Sequence, residues 1–411
     1  MSGPPPALAF DSSRWHVRAL AARFLPLWWL LAFAAMAHGE LTFSVAGGKA
    51  TVTGYSGTVP SSINIPATYT AGTTTYPVTS IGTYALNNAY DLRSLTIPNS
   101  ITTIGVGALS SCWRLTGITL PASVTSIGTG AFANCGAMTA IMVEAANPAY
   151  SSLNGVLFDK TQATLVRMPG GWAGEYVVPD GVTHIGATAF TSIRSLTKVT
   201  LPASVSQIGN SAFYSCFTLA VVEVEEANAT YASLDGVLFD KTRTTLVQCP
   251  SGKWGHYDIP ASVTSLAPSA FDHCGCLTGV TIPNGVTRIP NGTFASCEWL
   301  TSMVIPNSVT SMGLYPFIDC SGLTAIEVDT ANSAYRSMDG VLFNKEMTTL
   351  IQYPGGKEGS YVIPVSVNFI GNAAFAYCGR LTGVTIPAKR HRHGISGVRP
   401  LREPGPRQSF R

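Results

Sequence analysis

Charge is scarce in this sequence. Only 11% of its 411 residues are Asp, Glu, Lys or Arg, and the Glu and Lys that favour helices are too few to build many of them. Histidine is nearly absent from the body of the chain. His184, His256 and His273 stand there without a motif that pairs any of them with a nucleophile. Gly252-Lys253 lacks the preceding glycine and strand of a phosphate loop. His273-Cys274-Gly275-Cys276 has no second cysteine pair nearby, which argues against zinc. After residue 37 no apolar run approaches the roughly 20 residues that a spanning helix needs. No catalytic residue, cofactor or metal site is expected, and no transmembrane helix in the mature chain.

What is abundant is turn-forming residues, 40 Gly and 26 Pro, on a 46% hydrophobic background. They are ordered by a 23-residue unit, seen at Leu115–Ala137 as LTGITLPASVTSIGTGAFANCGA. Leu115, Ile118 and Leu120 form its strand-like end and Pro121 stops it by removing a ladder donor. Val124 and Ile127 point inward again. Ala131-Phe132 and Cys135 are spaced for one short helical turn. Such a unit has no face it can bury alone, so it must stack on copies of itself.

The lattice is arithmetical. The aromatic position recurs at Leu86, Leu109, Phe132, Phe190, Phe213, Phe271, Phe294, Phe317 and Phe375, always 23 or 58 apart. Strand ends from Ile97 to Ile386 step by 23, except for steps of 35 after Val143, Val224 and Val328. Each of these three long coils carries a second motif, Tyr150–Lys160, Tyr231–Lys241 and Tyr335–Lys345. In the first, Val156-Leu157-Phe158 and Thr164-Leu165-Val166 flank a polar turn, which predicts an added hairpin. Asn154-Gly155, Asp235-Gly236 and Asp339-Gly340 precede Val-Leu-Phe and read as turns before a strand rather than calcium loops.

These residues resemble the BspA-like class of bacterial leucine-rich repeats, whose unit reads LTxITIPxSVTSIGxxAFxxC. The resemblance covers about Val78–Pro387. It implies a strand-rich α/β solenoid with one parallel strand and one short helical turn per coil, found mainly in secreted or surface proteins that bind other macromolecules. With about 12 or 13 coils at roughly 4.8 Å each, the solenoid would be about 60 Å long.

The ends differ from the body. Arg14, Arg18 and Arg23 precede the apolar run Phe24–Ala37, and Ala35-Met36-Ala37 has the small-x-small form of a cleavage point, so residues 1–37 read as a secretory signal peptide. Residues 38–66 contain a hairpin signal, Leu41–Val45 and Thr51–Thr53 about Gly47-Gly48, that would cap the first coil of a solenoid spanning 67–387. From Ala388 to Arg411 the unit breaks off, and seven Lys or Arg face one acid. A basic tail can be a nucleic-acid or anionic-surface arm; the reading adopted is a disordered end, with no nucleic acid expected. Residues 38–387 carry fifteen basic against twenty acidic groups, near −5.

Nine cysteines in a secreted chain suggest disulfides, but seven of them, Cys112, Cys135, Cys216, Cys274, Cys297, Cys320 and Cys378, share one column that accepts Ile193. A slot that accepts Ile is buried and apolar, so a packed thiol ladder is expected. Cys249 and Cys276 stand outside it.

Function must then reside on the surface. The residue between the two inward strand positions should face outward along the sheet: Thr96, Thr119, Met142, Val177, Thr200, Glu223, Asp258, Thr281, Val304, Glu327, Val362 and Thr385. Within this flat column Thr96, Thr119, Thr200, Glu223, Asp258, Thr281, Glu327 and Thr385 are the candidate ligand-binding residues. Thr also suits exposed strand positions for its own sake. Trp172 and Trp254, in matched Pro-Gly loops, are candidate loop anchors. The expected role is a non-catalytic binding or adhesion protein, secreted or on the cell surface, for an extracellular protein or glycan. The alternatives are a structural spacer or stalk, or a polysaccharide-acting enzyme whose carboxylates would converge with Lys or Arg on neighbouring coils.

Overall fold

A computed structural model describes residues 39–387 and 392–393. The segment expected to be a signal peptide and most of the basic tail lie outside the described residues. The chain forms a solenoid of about 13 turns in which each coil has three sides, two made of parallel strands and one of turns. The first ladder holds the LTxIT strands, such as Gly117–Leu120 beside Ala140–Val143 and Ser195–Leu201 between Ala173–Val177 and Val221–Val224. The second holds two-residue strands from the TSIG segment, such as Thr103–Ile104 between Thr74–Ile81 and Ser126–Ile127. The hairpin Glu40–Ala46 and Lys49–Ser56 joins this second ladder, through Ala50 to Val52 beside Val78 to Ile81. Arg392–His393 pairs with Phe369–Ile370 at its far end.

The expected helical turn does not form, and no helix occurs among the described residues. Hydrogen-bond destinations explain why. Along Gly107–Cys112 the donors alternate: Gly107, Leu109 and Ser111 reach the carbonyls of Thr129, Ala131 and Ala133 one coil on, at 3.2, 2.9 and 2.8 Å. Ala108, Ser110 and Cys112 instead close tight turns onto Gly105, Gly107 and Leu109. An α-helix would use every donor within the segment; here half of them tie neighbouring coils together. The alternation needs left-handed residues, and Gly107 (φ 58°) and Ser111 (φ 61°) supply them. Small or polar side chains such as Asn134, Ser192, Ser215 and Ser296 serve at the second position in other coils.

Stacking turns the sequence columns into physical ones. Phe190 and Phe213 stack at 5.1 Å between centroids, Phe271 and Phe294 at 5.0 Å, Phe294 and Phe317 at 5.6 Å. The cysteine column is a ladder of buried free thiols. Each donates to the carbonyl of the aromatic position one coil back, as Cys216 does to Phe190 at 2.8 Å and Cys320 to Phe294 at 3.0 Å. Burial pushes the Cys216 thiol up to about 11 and Cys378 to about 12. In the long coils Met168, Cys249 and Tyr353 take the aromatic slot, since their amides meet Ala189, Ala270 and Ala374 as the short-coil residues meet theirs. Cys249 therefore belongs to the core, but to the aromatic rather than the thiol column.

The long coils hold the expected hairpin and one strand more. Tyr150–Leu153, Val156–Asp159 and Thr164–Arg167 form an antiparallel meander, repeated from Tyr231 and from Tyr335. Asn154 (φ 52°) and Gly155 (φ 78°) make the first reversal, the two-residue left-handed turn that suits a tight hairpin.

Both ladders stop at each meander, and side chains finish their ends. Asn147, fully buried, donates to the carbonyls of Pro121 and Val124, both at 2.9 Å, and accepts from the amides of Ala149 and Tyr150. The Tyr150 hydroxyl takes the Ile127 amide at 3.1 Å, Ser152 Oγ the Val143 amide at 3.1 Å, and the Gly155 carbonyl the Ile141 amide at 2.8 Å. Asn228 and Ser233, then Asn332 and Ser337, repeat the arrangement.

Candidate functional site

The outward column of the first ladder is where the sequence places the candidate residues, and the pleat sets their direction, since neighbours on a strand face opposite ways. Ile118 and Leu120 are buried, and Thr119 between them is exposed. Thr96, Glu223, Asp258, Thr281, Glu327 and Thr385 are also exposed, whereas Thr200 is half-buried. Parallel register puts them side by side. Thr96 lies beside Asn64, Thr119 beside Met142, Thr200 between Val177 and Glu223, Asp258 beside Thr281, Glu327 beside Val304, and Thr385 beside Val362.

The column is not one continuous face. The first ladder stops at every long coil, which cuts the column into strips after Met142, Glu223 and Glu327, and its strand pairing also lapses between Thr96 and Thr119 and between Thr281 and Val304. Apolar side chains stand exposed beside two of the three cuts: Met142 and Val177 flank the first, and Val362 follows the third.

Polar contacts concentrate in the middle strips. Lys198 Nζ lies 2.6 Å from Glu223 Oε2, and that bond, with the charge of Glu175, holds the ammonium above its ordinary value. His256 Nε2 sits 2.9 Å from Thr281 Oγ1 and 3.2 Å from Asp258 Oδ1. Thr281 and His256 hold the Asp258 carboxyl below the usual carboxylate range. Glu327 accepts from Ser337 Oγ at 3.1 Å. Among the described residues no three His, Cys, Asp or Glu side chains gather in a metal-binding group, and no helix is long and apolar enough to cross a membrane.

The two loop tryptophans part company. Trp172 is half-buried, packs edge-on against Tyr176 at 5.2 Å and donates to the Glu175 carbonyl at 3.3 Å. Trp254 is 80% exposed, so it alone presents a free ring.

Exposed aromatics also stand on the turn side of the coil, which the period-two pattern of the strands does not sample. Tyr90, Phe217 and Trp299 are exposed there, as is Trp113, with the Arg194 guanidinium 4.3 Å above its ring. Phe217 and Tyr214 flank His273. A separate cleft of about 360 Å³ lies between the N-terminal hairpin and the first ladder strand, walled by Phe43, Tyr55, Ile63 and Tyr69. Two Asn-x-Thr triplets match the glycosylation sequon: in Asn228-Ala229-Thr230 the Asn amide is buried and fully bonded, whereas Asn291 of Asn291-Gly292-Thr293 is exposed.

The family described as BspA type leucine-rich repeat region matches in six copies, over residues 63–170, 174–252, 251–354 and 357–394. Among solved structures, a leucine-rich repeat protein from Eubacterium ventriosum is similar at 21% identity, over 85% of each chain, with a TM-score of 0.51. A leucine rich cell surface protein from Faecalibacterium prausnitzii matches at 23% identity over 85% of this chain and 93% of its own, with a TM-score of 0.39. The pneumococcal vaccine antigen PcpA matches at 18% over 86% and 99%, with a TM-score of 0.41. The similarity is one of fold. No curated protein matches the chain.

Proposed function

The chain belongs to the BspA type leucine-rich repeat family, and on that premise we propose that it is a secreted or cell-surface, non-catalytic binding protein whose ligand is an extracellular protein or glycan. One observation carries the reading: the outward column of the first ladder is in register, exposed and sparsely charged. Extended strips of this kind are what a solenoid offers a macromolecule. Thr119, Asp258 and Thr281 are the contact residues favoured within the strips, and Trp254 is the favoured loop anchor.

The test is binding of the purified chain to an array of extracellular-matrix proteins and polysaccharides, beside a variant carrying Thr119→Lys and Thr281→Lys. Saturable binding that the variant loses supports the reading. Absence of binding to every surface moves the spacer role to first place. Glu175, Lys198 and Glu223 form a grouping that favours an enzymatic alternative, because carboxylates and a cation meet there on neighbouring coils. Release of reducing sugar from an arrayed polysaccharide, abolished by Glu223→Gln, would establish that alternative; no release from any polysaccharide would dismiss it.

A further inference from the structure

We infer that the solenoid opens in four blocks, with fault lines at the leading edges of its three long coils, and that Arg167 rivets the first fault line more firmly than the other two. Three sets of observations coincide at these places. Both strand ladders end there, and the amides and carbonyls left over are closed by Asn147, Tyr150 and Ser152, by Asn228, Tyr231 and Ser233, and by Asn332, Tyr335 and Ser337. The hydrophobic core separates into four clusters at the same positions. In every Val-Leu-Phe segment the leucine (Leu157, Leu238, Leu342) packs with the preceding cluster, and the phenylalanine (Phe158, Phe239, Phe343) packs with the following one. The stack of Phe rings is interrupted there too, by Met168, Cys249 or Tyr353.

A solenoid is held by contacts between neighbouring coils, so it separates where that interface is weakest. Within a block a coil grips the next through at least one continuous strand ladder and the turn bonds. Across a fault line both ladders end together and two backbone bonds remain, Ile141 to Gly155 with Gly171 to Met138, Val222 to Gly236 with Gly252 to Leu219, or Ile326 to Gly340 with Gly356 to Leu323, each 2.8 Å.

The first fault line has an addition. Arg167 is buried, and its guanidinium donates forward to the carbonyls of Thr188 at 2.6 Å and Thr191 at 2.9 Å, and backward to Phe132 at 3.1 Å. Phe132 belongs to the preceding core cluster. The matching residues of the other long coils are Gln248 and Gln352. Their side chains bond only onward, to Cys249 and Ala270 and to Tyr353 and Ala374.

Hydrogen exchange of the full chain, read by mass spectrometry at denaturant concentrations below global unfolding, tests the inference. Amides should fall into four groups divided near residues 150, 231 and 335, each with its own midpoint. The first two groups should lie closest together. Arg167→Gln installs the residue found at the other two fault lines, so folding is retained. It should speed exchange in Phe132–Val143 about tenfold and leave 231–385 within about twofold of wild type. Tyr231→Phe should do the same to the Ile208 amide at the second fault line. A single midpoint for the whole chain, a coil-by-coil gradient with no step at those residues, or an Arg167→Gln effect spread evenly along the chain would each overturn it.

Discussion

Short-coil stacks and long coils answer the same demand by different means. Within a stack, each coil's amides and carbonyls are met by the backbone of the next coil, so the sequence there needs only shape: an apolar strand, a left-handed turn, a ring and a thiol. At a long coil the next backbone is displaced by the meander, and Asn, Tyr and Ser side chains stand in for it. Backbone satisfaction tolerates substitution, because Leu86, Leu109 and Phe132 all serve in one column. Side-chain satisfaction does not, because Asn147 both donates twice and accepts twice in a buried site, and no apolar residue does either.

That contrast can be broken at several points. Phe294 stacks on rings on both sides, and Phe294→Ala should cost about 4 kcal/mol, read as a shift in the denaturant midpoint. Asn228→Ala leaves the carbonyls of Pro202 and Val205 and the amides of Thr230 and Tyr231 without their partner. Its expected cost is about 3 kcal/mol, and Asn228→Asp should not recover it, since a carboxylate cannot donate. Asn210→Ala, at an exposed turn position of a short coil, should change stability by less than about 0.5 kcal/mol; an equal loss at the two sites would remove the distinction.

The thiol column sharpens the comparison through pH. A Cys thiol ionises near 9.0 when unconstrained, but near 11 at Cys216 and 12 at Cys378 in the fold. The folded state therefore holds its protons longer. This stabilisation is intact below pH 9 and is lost as pH rises from 9 through 11, by about 3 kcal/mol for Cys216. Cys216→Ala should flatten that part of the stability profile. The smallest effect expected is on labelling: iodoacetamide under native conditions should modify Cys276, the one cysteine that is not buried, ahead of all the others.

Much of this architecture was legible in the residues, and what was not has a physical cause. The 23-residue lattice, the outward column and the thiol ladder follow from burial alone, which periodicity reports directly. The turn at Ala131–Cys135 was misread as helical because spacing tells which side chains share a face but not where an amide sends its hydrogen bond. Asn147 carried no signal in the sequence, since a buried Asn is recognisable only once the carbonyls of Pro121 and Val124 lie above it. The division of the candidate face came from the same source: Met142 and Val177 hold equivalent positions in the repeat, but the meander between them separates their strands. Trp172 and Trp254 were indistinguishable in sequence; Tyr176 gives the first ring a packing partner, and the second has none.

The tyrosine that opens each meander also makes the blocks interchangeable parts. Tyr231 with Asn228 and Ser233 offers the preceding coil what Tyr150 with Asn147 and Ser152 offers, and the leucine that follows enters the same pocket in either case. Splicing Ala149 directly to Tyr231 would therefore rejoin matching surfaces, and the shortened chain should fold with three exchange groups in place of four. In this molecule the phrase that can be cut and reset is the block, and the 23-residue coil is only its syllable.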